Sequence, residues 1–198
     1  RIGTAGKPIP GCDIKIAEDG EILIKGGNVV KGYWKLPKET AEAFTEDGYM
    51  QSGDIGSFDD EGNLMITDRK KDLIITSGGK NIAPQKIENL FKSDPLFSQF
   101  IVIGEKQKYL TGLCNINLEE AARLAKENNI PFDDPASLLD NEAFQAALQK
   151  IIEERNSHLA KYETIKSVRV VKHEFSQDSG ELTPSLKVKR KVVYEKYR

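Results

Sequence analysis

Between Asp68 and Glu88 the chain passes from five consecutive charged residues, Asp68-Arg69-Lys70-Lys71-Asp72, through the apolar Leu73–Ile75 and breaks at Gly78-Gly79. It then restarts behind Pro84 with Ile87, Leu90 and Phe91 on one helical face. Charge, strand, double glycine and helix in that order predict a joint between two bodies, with a polar ligand near it. The pattern also differs on its two sides. Before the joint, Asp13–Ile16 and Glu21–Lys25 alternate around Asp19-Gly20, which predicts a hairpin with a two-residue turn. Met50–Phe58 and Asn63–Thr67 form a second predicted hairpin, closed by Asp59-Asp60-Glu61-Gly62. Asn28–Trp34 reads as a short helical turn and Lys38–Phe44 as a short helix behind Pro37.

After the joint, helix and strand mix. Leu73–Thr76, Gln99–Gly104, Leu110–Leu118 and Lys166–Lys172 are predicted strands, the middle two forming a pair. Pro84–Lys92, Leu118–Asn128, Asn141–His158 and a basic Lys189–Lys196 are predicted helices. The expected fold class is α+β: a β-barrel-like subdomain over 1–70, then a small mixed α/β domain over 71–198 with short sheets flanked by helices. At 198 residues, 38% hydrophobic and 30% charged, the chain can bury a real core. A net charge of -2 provides no field that would recruit nucleic acid or an anionic membrane. Apolar runs are too short to span a bilayer. Cys12 and Cys114 make neither a disulfide framework nor a zinc knuckle, so a cytoplasmic location is expected. Arg1–Thr4 has no leader character, and the glycine-rich Arg1–Gly11 is an unusual opening for a domain, so the chain is expected to be part of something longer.

Three clusters can carry chemistry. In Ser52-Gly53-Asp54, a carboxylate behind a glycine can accept hydrogen bonds from a ribose diol. By spacing alone, a turn whose Asp54 is satisfied by its own backbone is the favoured alternative. At the joint, Arg69 has the forked, permanent charge suited to phosphate or ribose oxygens. Gly78 and Gly79 permit close backbone approach or simply supply positive φ. A charge run such as Asp68–Asp72 is, taken by itself, most simply a solvated surface. In Glu181–Arg190, Gly180 and Pro184 keep the backbone out of regular helix, so Lys187 is expected on an exposed loop. There it can deliver an ammonium to developing negative charge, unless the stretch is only a basic tail. His158 and His173 are the two histidines, and no metal-ligand constellation or glycine-rich phosphate loop is seen.

Together, in order and spacing, the clusters resemble the adenylate-forming superfamily of acyl-CoA synthetases, peptide-synthetase adenylation domains and luciferases. Ser52-Gly53-Asp54 is similar to that family's Tyr/Thr-Gly-Asp motif. Asp68–Asp72 through Gly78-Gly79-Lys80 is similar to its Gly-Arg-x-Asp-x-x-Lys-x-x-Gly hinge motif, and Leu182–Arg190 to its Pro-Lys-Thr-x-x-Gly-Lys motif. Gly3-Thr4-Ala5-Gly6-Lys7-Pro8 and Gly32-Tyr33-Trp34-Lys35 fit as earlier landmarks. Asp68 and Leu186 stand where the family usually has glycine; these departures, with the insert around Glu119–His158, resemble long-chain fatty acid–CoA ligases.

The resemblance implies the roles that follow. Asp54 would hold the ribose hydroxyls of ATP and of an acyl-adenylate, Arg69 would reach the same diol or the phosphates, and Ile66 would pack near the nucleotide. Lys71 would be the hinge. Lys187 would serve the adenylation step, and Gly78, Gly79 and Lys80 would line the pantetheine path of CoA. The parent would take ATP, a fatty acid and CoA as small-molecule substrates, with Mg2+ bound mostly by residues outside this chain. No metal ligands are assigned here, no nucleic acid or specific protein partner is implied, and peripheral contact of the parent with the inner membrane face stays open. Residues 1–70 would be the last subdomain of a large N-terminal domain and 71–198 the mobile C-terminal domain, inactive by themselves. The alternatives are a fatty acyl-AMP ligase serving a carrier protein, and a non-catalytic interaction module with a basic tail.

Overall fold

Isoleucines at alternate positions build the first sheet. In the computed structural model, which describes residues 2–197, β1 (Cys12–Ile16), β2 (Glu21–Gly26), β3 (Met50–Phe58) and β4 (Leu64–Arg69) form a curled antiparallel meander in that order. They belong to one of two compact units, Arg1–Leu73, the other being Ile74–Arg198. Glu21, Ile22 and Leu23 of the inner strand β2 are all buried. At the β4 edge the amino-terminal segment adds an isolated bridge, Gly6 to Leu64. The helix α1 (Pro37–Glu42) begins with proline at its first position and buries no residue.

Two expectations for this unit change. The β1–β2 connection is a three-residue loop, because Ala17 N donates to Glu21 O and Gly20, at φ 86°, donates to Ala17 O. Glycine in the left-handed region lets a type I turn rejoin the ladder through a bulge. Asn28–Trp34 is turn and bend rather than helix. Gly32 at φ 153° lies outside helical backbone space, and the Tyr33 amide is taken by Thr40 Oγ1 at 2.9 Å.

The second unit opens with a two-strand ribbon, β5 (Ile74–Ile75) and β6 (Asn81–Ile82), shorter than the predicted Leu73–Thr76. Leu73 closes the 3-10 turn Lys70–Asp72 and Thr76 already opens the next turn, so two residues remain to pair. The helix α2 (Pro84–Lys92) follows, with Ile87 and Phe91 one turn apart and buried. The main sheet has the order β7 (Phe97–Ile103), β8 (Leu110–Ile116), β9 (Ile165–Val170), with β7–β8 antiparallel and β8–β9 parallel. A parallel partner requires a long crossover. It is supplied by α3 (Leu118–Glu127), the 3-10 stretch Pro135–Asp140 and α4 (Glu142–Asn156). Asn117 and Asn141 start these helices, each accepting from two first-turn amides.

Both faces of this sheet are covered, so successive β7 residues are apolar without strict alternation. On one face Phe100 and Val102 join Ile87, Phe91, Phe144, Leu148 and Ile152. Phe91 and Phe100 stack with centroids 4.0 Å apart. On the other face Ile101 and Leu113 meet Val171, Phe175, Leu182 and Val193, the last from α5 (Arg190–Tyr197). This second cluster positions the carboxyl-terminal motif.

Candidate functional site

In the first unit, the β3–β4 register places Asp54 opposite Arg69, and Arg69 Nε lies 2.7 Å from Asp54 Oδ1. The alternative in which backbone alone satisfies Asp54 therefore fails: its carboxylate faces a guanidinium. The reason is local. Gly53 sits inside β3 at φ 71°, and the ladder slips between Ile55 and Gly56. A kink and a slip at this point turn the Asp54 side chain to the Arg69 edge of the sheet. Ile66, opposite Gly56 on β4, is 55% exposed and offers an apolar surface.

The charge run is not a uniformly solvated loop. Asp68 is buried, Arg69 is paired with Asp54, and Lys70 Nζ lies 2.7 Å from Asp19 and 2.8 Å from Glu21. Glu21 is itself buried and accepts the Gly53 amide at 2.9 Å. It thus ties Gly53 to Lys70, the lysine next to Lys71. The ammonium of Lys70 holds the Asp19 carboxyl below its ordinary range, and Asp19 with Glu21 raises Lys70. Glu21 was not among the expected site residues; its only trace in the sequence is an acid directly before the apolar Ile22-Leu23-Ile24. Lys71 is exposed, in the single 3-10 turn beside the boundary between the units.

In the second unit, Gly78, Gly79 and Lys80 are exposed in the turn joining β5 to β6. Thr76 N donates to Lys80 O, Gly79 N donates to Thr76 O, and Gly79 has φ 72°, in the left-handed region that favours glycine. The Lys80 ammonium stands 5.9 Å from the Tyr162 ring centroid, within cation–π range.

The same pair of backbone hydrogen bonds closes Ala17–Glu21, Thr45–Tyr49, Asp59–Asn63 and, at the other end of the chain, Thr183–Lys187. The fourth residue is glycine in every case but the last, where Leu186 occupies φ 59°. The turn bearing Lys187 is therefore a tight hairpin tip, and the expected exposed loop has a defined form. Thr183 Oγ1 accepts the Lys187 amide at 3.0 Å, as Thr45 and Thr76 do for the corresponding amides of their turns. Leu182 bridges to Val188 below the tip, and both pack into the cluster under α5. Lys187 is exposed and, among the described residues, forms no ion pair.

Behind this hairpin lies a carboxylate that sequence reasoning missed. The Glu181 side chain is fully buried; its Oε1 takes Lys196 Nζ at 2.6 Å, Tyr197 Oη at 2.8 Å and His173 Nε2 at 3.2 Å, and Ser179 Oγ meets Oε2. Burial pushes this carboxyl up, but hydrogen bonds from Lys196, Ser179, Tyr197 and His173 outweigh it and hold it well below the usual carboxylate range. Burial, and then the bond to Glu181, raise Tyr197 to about 12. Glu88 is a second buried acid, accepting the Val102 amide at 2.8 Å and Arg190 Nη2 at 2.6 Å. Burial raises Glu88, with Arg190 working against the rise. Nothing in the hydrophobic pattern marks either acid, because their partners lie on other elements.

An open cavity of about 290 Å³ on the α5 side of the sheet, bordered by Tyr109, Ser167, Arg169, Tyr194 and Tyr197, contains none of the expected site residues. Among the described residues no group of three His, Cys, Asp or Glu could hold a metal ion. Among the described residues no helix is long and apolar enough to cross a membrane.

A family model described as the AMP-binding enzyme C-terminal domain matches residues 71–198. The chain belongs to the AMP-binding, adenylate-forming enzymes. Within this family it is similar to the long-chain-fatty-acid–CoA ligase FadD15 of Mycobacterium tuberculosis, 40% identical over 198 residues, covering 100% of this chain and 33% of that protein. Among solved AMP-binding enzymes, it is similar to the adenylation domain of carboxylic acid reductase from Segniliparus rugosus, in complex with AMP and a co-purified carboxylic acid. The identity is 25% and the TM-score 0.66, covering 96% of this chain and 30% of that one. It is also similar to O-succinylbenzoate coenzyme A synthetase from Bacillus subtilis in complex with AMP, at 27% identity and TM-score 0.64 over 96% of this chain and 35% of that one. The chain spans about a third of the length of the curated relatives it matches. The expected family and the α+β fold class both hold.

Proposed function

We propose that the chain works as the C-terminal portion of a long-chain fatty acid–CoA ligase, which joins ATP, a fatty acid and CoA into acyl-CoA, AMP and pyrophosphate through an acyl-adenylate. The observation that carries this reading is similarity along all 198 residues to a ligase of that name. The division of labour follows the chain's own chemistry. Residues 1–70 would close the large N-terminal domain and 71–198 would be the mobile C-terminal domain. Asp54 would accept the ribose diol, oriented by Arg69 at 2.7 Å, with Ile66 as apolar neighbour of the nucleotide. Arg69 retains guanidinium nitrogens for the same diol or a phosphate.

Lys187, on its strapped turn, would bring an ammonium to the α-phosphate and attacking carboxylate, where negative charge grows. It must then withdraw so that a thiol can approach. Rotation at Lys71 would exchange it for the turn at Gly78, Gly79 and Lys80, whose backbone would line the pantetheine path. Mg2+ would be bound mostly by residues of the parent outside this chain. A cytoplasmic enzyme, peripheral at most to a membrane, is part of the same proposal.

The carrier-protein alternative has less support, since the similar proteins are named as CoA ligases. The interaction-module alternative needs a free basic tail. Here Arg190 and Lys196 are engaged by Glu88 and Glu181, and Val193 is buried. The test is Lys187→Ala in the full-length enzyme, with the two half-reactions measured separately. Acyl-adenylate formation should be lost while thioester formation from supplied adenylate survives. Equal loss of both would refute the role given to Lys187.

A further inference from the structure

We propose that Glu181 is the positioning residue for Lys187, a buried anion that fixes where the lysine-bearing hairpin stands. The inference rests on the role proposed for Lys187. Glu181 lies across the root of the hairpin: its carbonyl accepts the Lys189 amide at 2.7 Å, one step below the Leu182–Val188 bridge. Its carboxylate gathers donors from three other places: His173 beyond β9, Ser179 in the lead-in turn, and Lys196 with Tyr197 on α5. The hairpin root is thus fastened twice, by Leu182 and Val188 in the apolar cluster and by Glu181 in the polar one.

Apolar packing alone would have held a chain here, and burying a carboxylate is costly unless it is fully paired. What the carboxylate adds is direction. Apolar contacts tolerate sliding, whereas a point anion with donors at 2.6, 2.8 and 3.2 Å on Oε1 fixes the hairpin against α5 and the His173 segment. Lys187 itself is exposed and has no ion-pair partner among the described residues. Its reach is therefore set by the root of the turn, and a misplacement of about 1 Å at a reacting centre can cost roughly 100-fold in rate.

The experiment uses the full-length enzyme with Glu181→Gln, Lys196→Met, the double variant, and Lys187→Ala in parallel. Gln keeps an acceptor for Tyr197 and can turn its amide toward Ser179, so the fold is retained while the charge that anchors Lys196 is lost. Glu181→Gln should lower kcat for adenylate formation about 10-fold or more. KM for ATP should stay within about twofold, and thioester formation from supplied adenylate should be unchanged. Lys196→Met should show the same selective pattern, and the double variant should be no worse than Glu181→Gln, since both changes break one contact. A scaffold residue would instead lower both half-reactions together with the melting temperature, and that outcome overturns the proposal. Adenylation at the wild-type rate in Glu181→Gln and Lys196→Met also overturns it, while the role of Lys187 stands if Lys187→Ala is inactive in that step. If Lys187→Ala adenylates normally, both readings fall.

Discussion

Leu186 is where the recurring five-residue turn is built without glycine, and two substitutions measure what that costs. At φ 59° a β-carbon crowds the following carbonyl, a strain of about 1–2 kcal/mol. Glycine escapes the strain but gives the unfolded chain more freedom, an offset of roughly 0.5–1 kcal/mol relative to alanine. The Leu186 side chain is 65% exposed, so Leu186→Gly and Leu186→Ala forfeit nearly the same small burial. Their difference isolates strain less entropy, about 0.7 kcal/mol in favour of glycine. For a chain of this size that is a melting temperature roughly 2 °C higher for the glycine variant. Calorimetry of the two variants side by side is the assay. An alanine variant that melts at or above the glycine variant would mean that position 186 is not held in the left-handed region, and the turn assigned to Lys187 would be wrong.

Lys71→Pro should reverse the pattern of Lys187→Ala, sparing adenylation and slowing thioester formation, since a proline ring locks φ at the pivot; normal thioester turnover would remove Lys71 from that role. The Glu181 carboxyl is depressed in the folded chain, so its contribution is complete above the ordinary value of 4.5 and is lost as pH falls below it. Each pH unit lost there costs up to about 1.4 kcal/mol, and from about pH 5 to about pH 3 the wild type should lose melting temperature faster than Glu181→Gln; parallel curves would contradict the depressed value. Burial pushes the Cys114 thiol up to about 12, whereas Cys12 is partly exposed. A thiol reagent at about pH 8 should therefore label Cys12 alone in the folded chain and both cysteines in denaturant; rapid labelling of Cys114 without denaturant would count against its burial.

What the sequence made legible is what depends on neighbours along the chain. The two amino-terminal hairpins, the α2 face of Ile87 and Phe91, and the Asn141 start of α4 follow from period and capping. Asn28–Trp34 misled because Gly32 and the bond from the Tyr33 amide to the Thr40 hydroxyl overrode local preference. The parallel partnership of β8 with β9 was not legible either, since an edge strand carries no mark of its neighbour's direction. Among the expected site residues, Asp54, Arg69 and Lys187 stood out through motif order, but their supports did not. Glu21 with Lys70, and Glu181 with Lys196, are charges joined across 49 and 15 residues, and in one dimension they look like any other surface acids and bases.

The Glu21–Lys70–Asp19 contact has a practical consequence for anyone recombining such enzymes. Lys70 is ion-paired within the first unit, and among the described residues Lys71 forms no comparable ion pair. A chimera spliced after Lys70 would leave the recipient's own Asp19, Glu21 and Lys70 matched. A splice placed before Lys70 could import a residue other than lysine at that position, leaving the buried Glu21 without its ammonium. The last counterion that this run gives to the first unit thus sets how far toward the amino terminus such a splice can move.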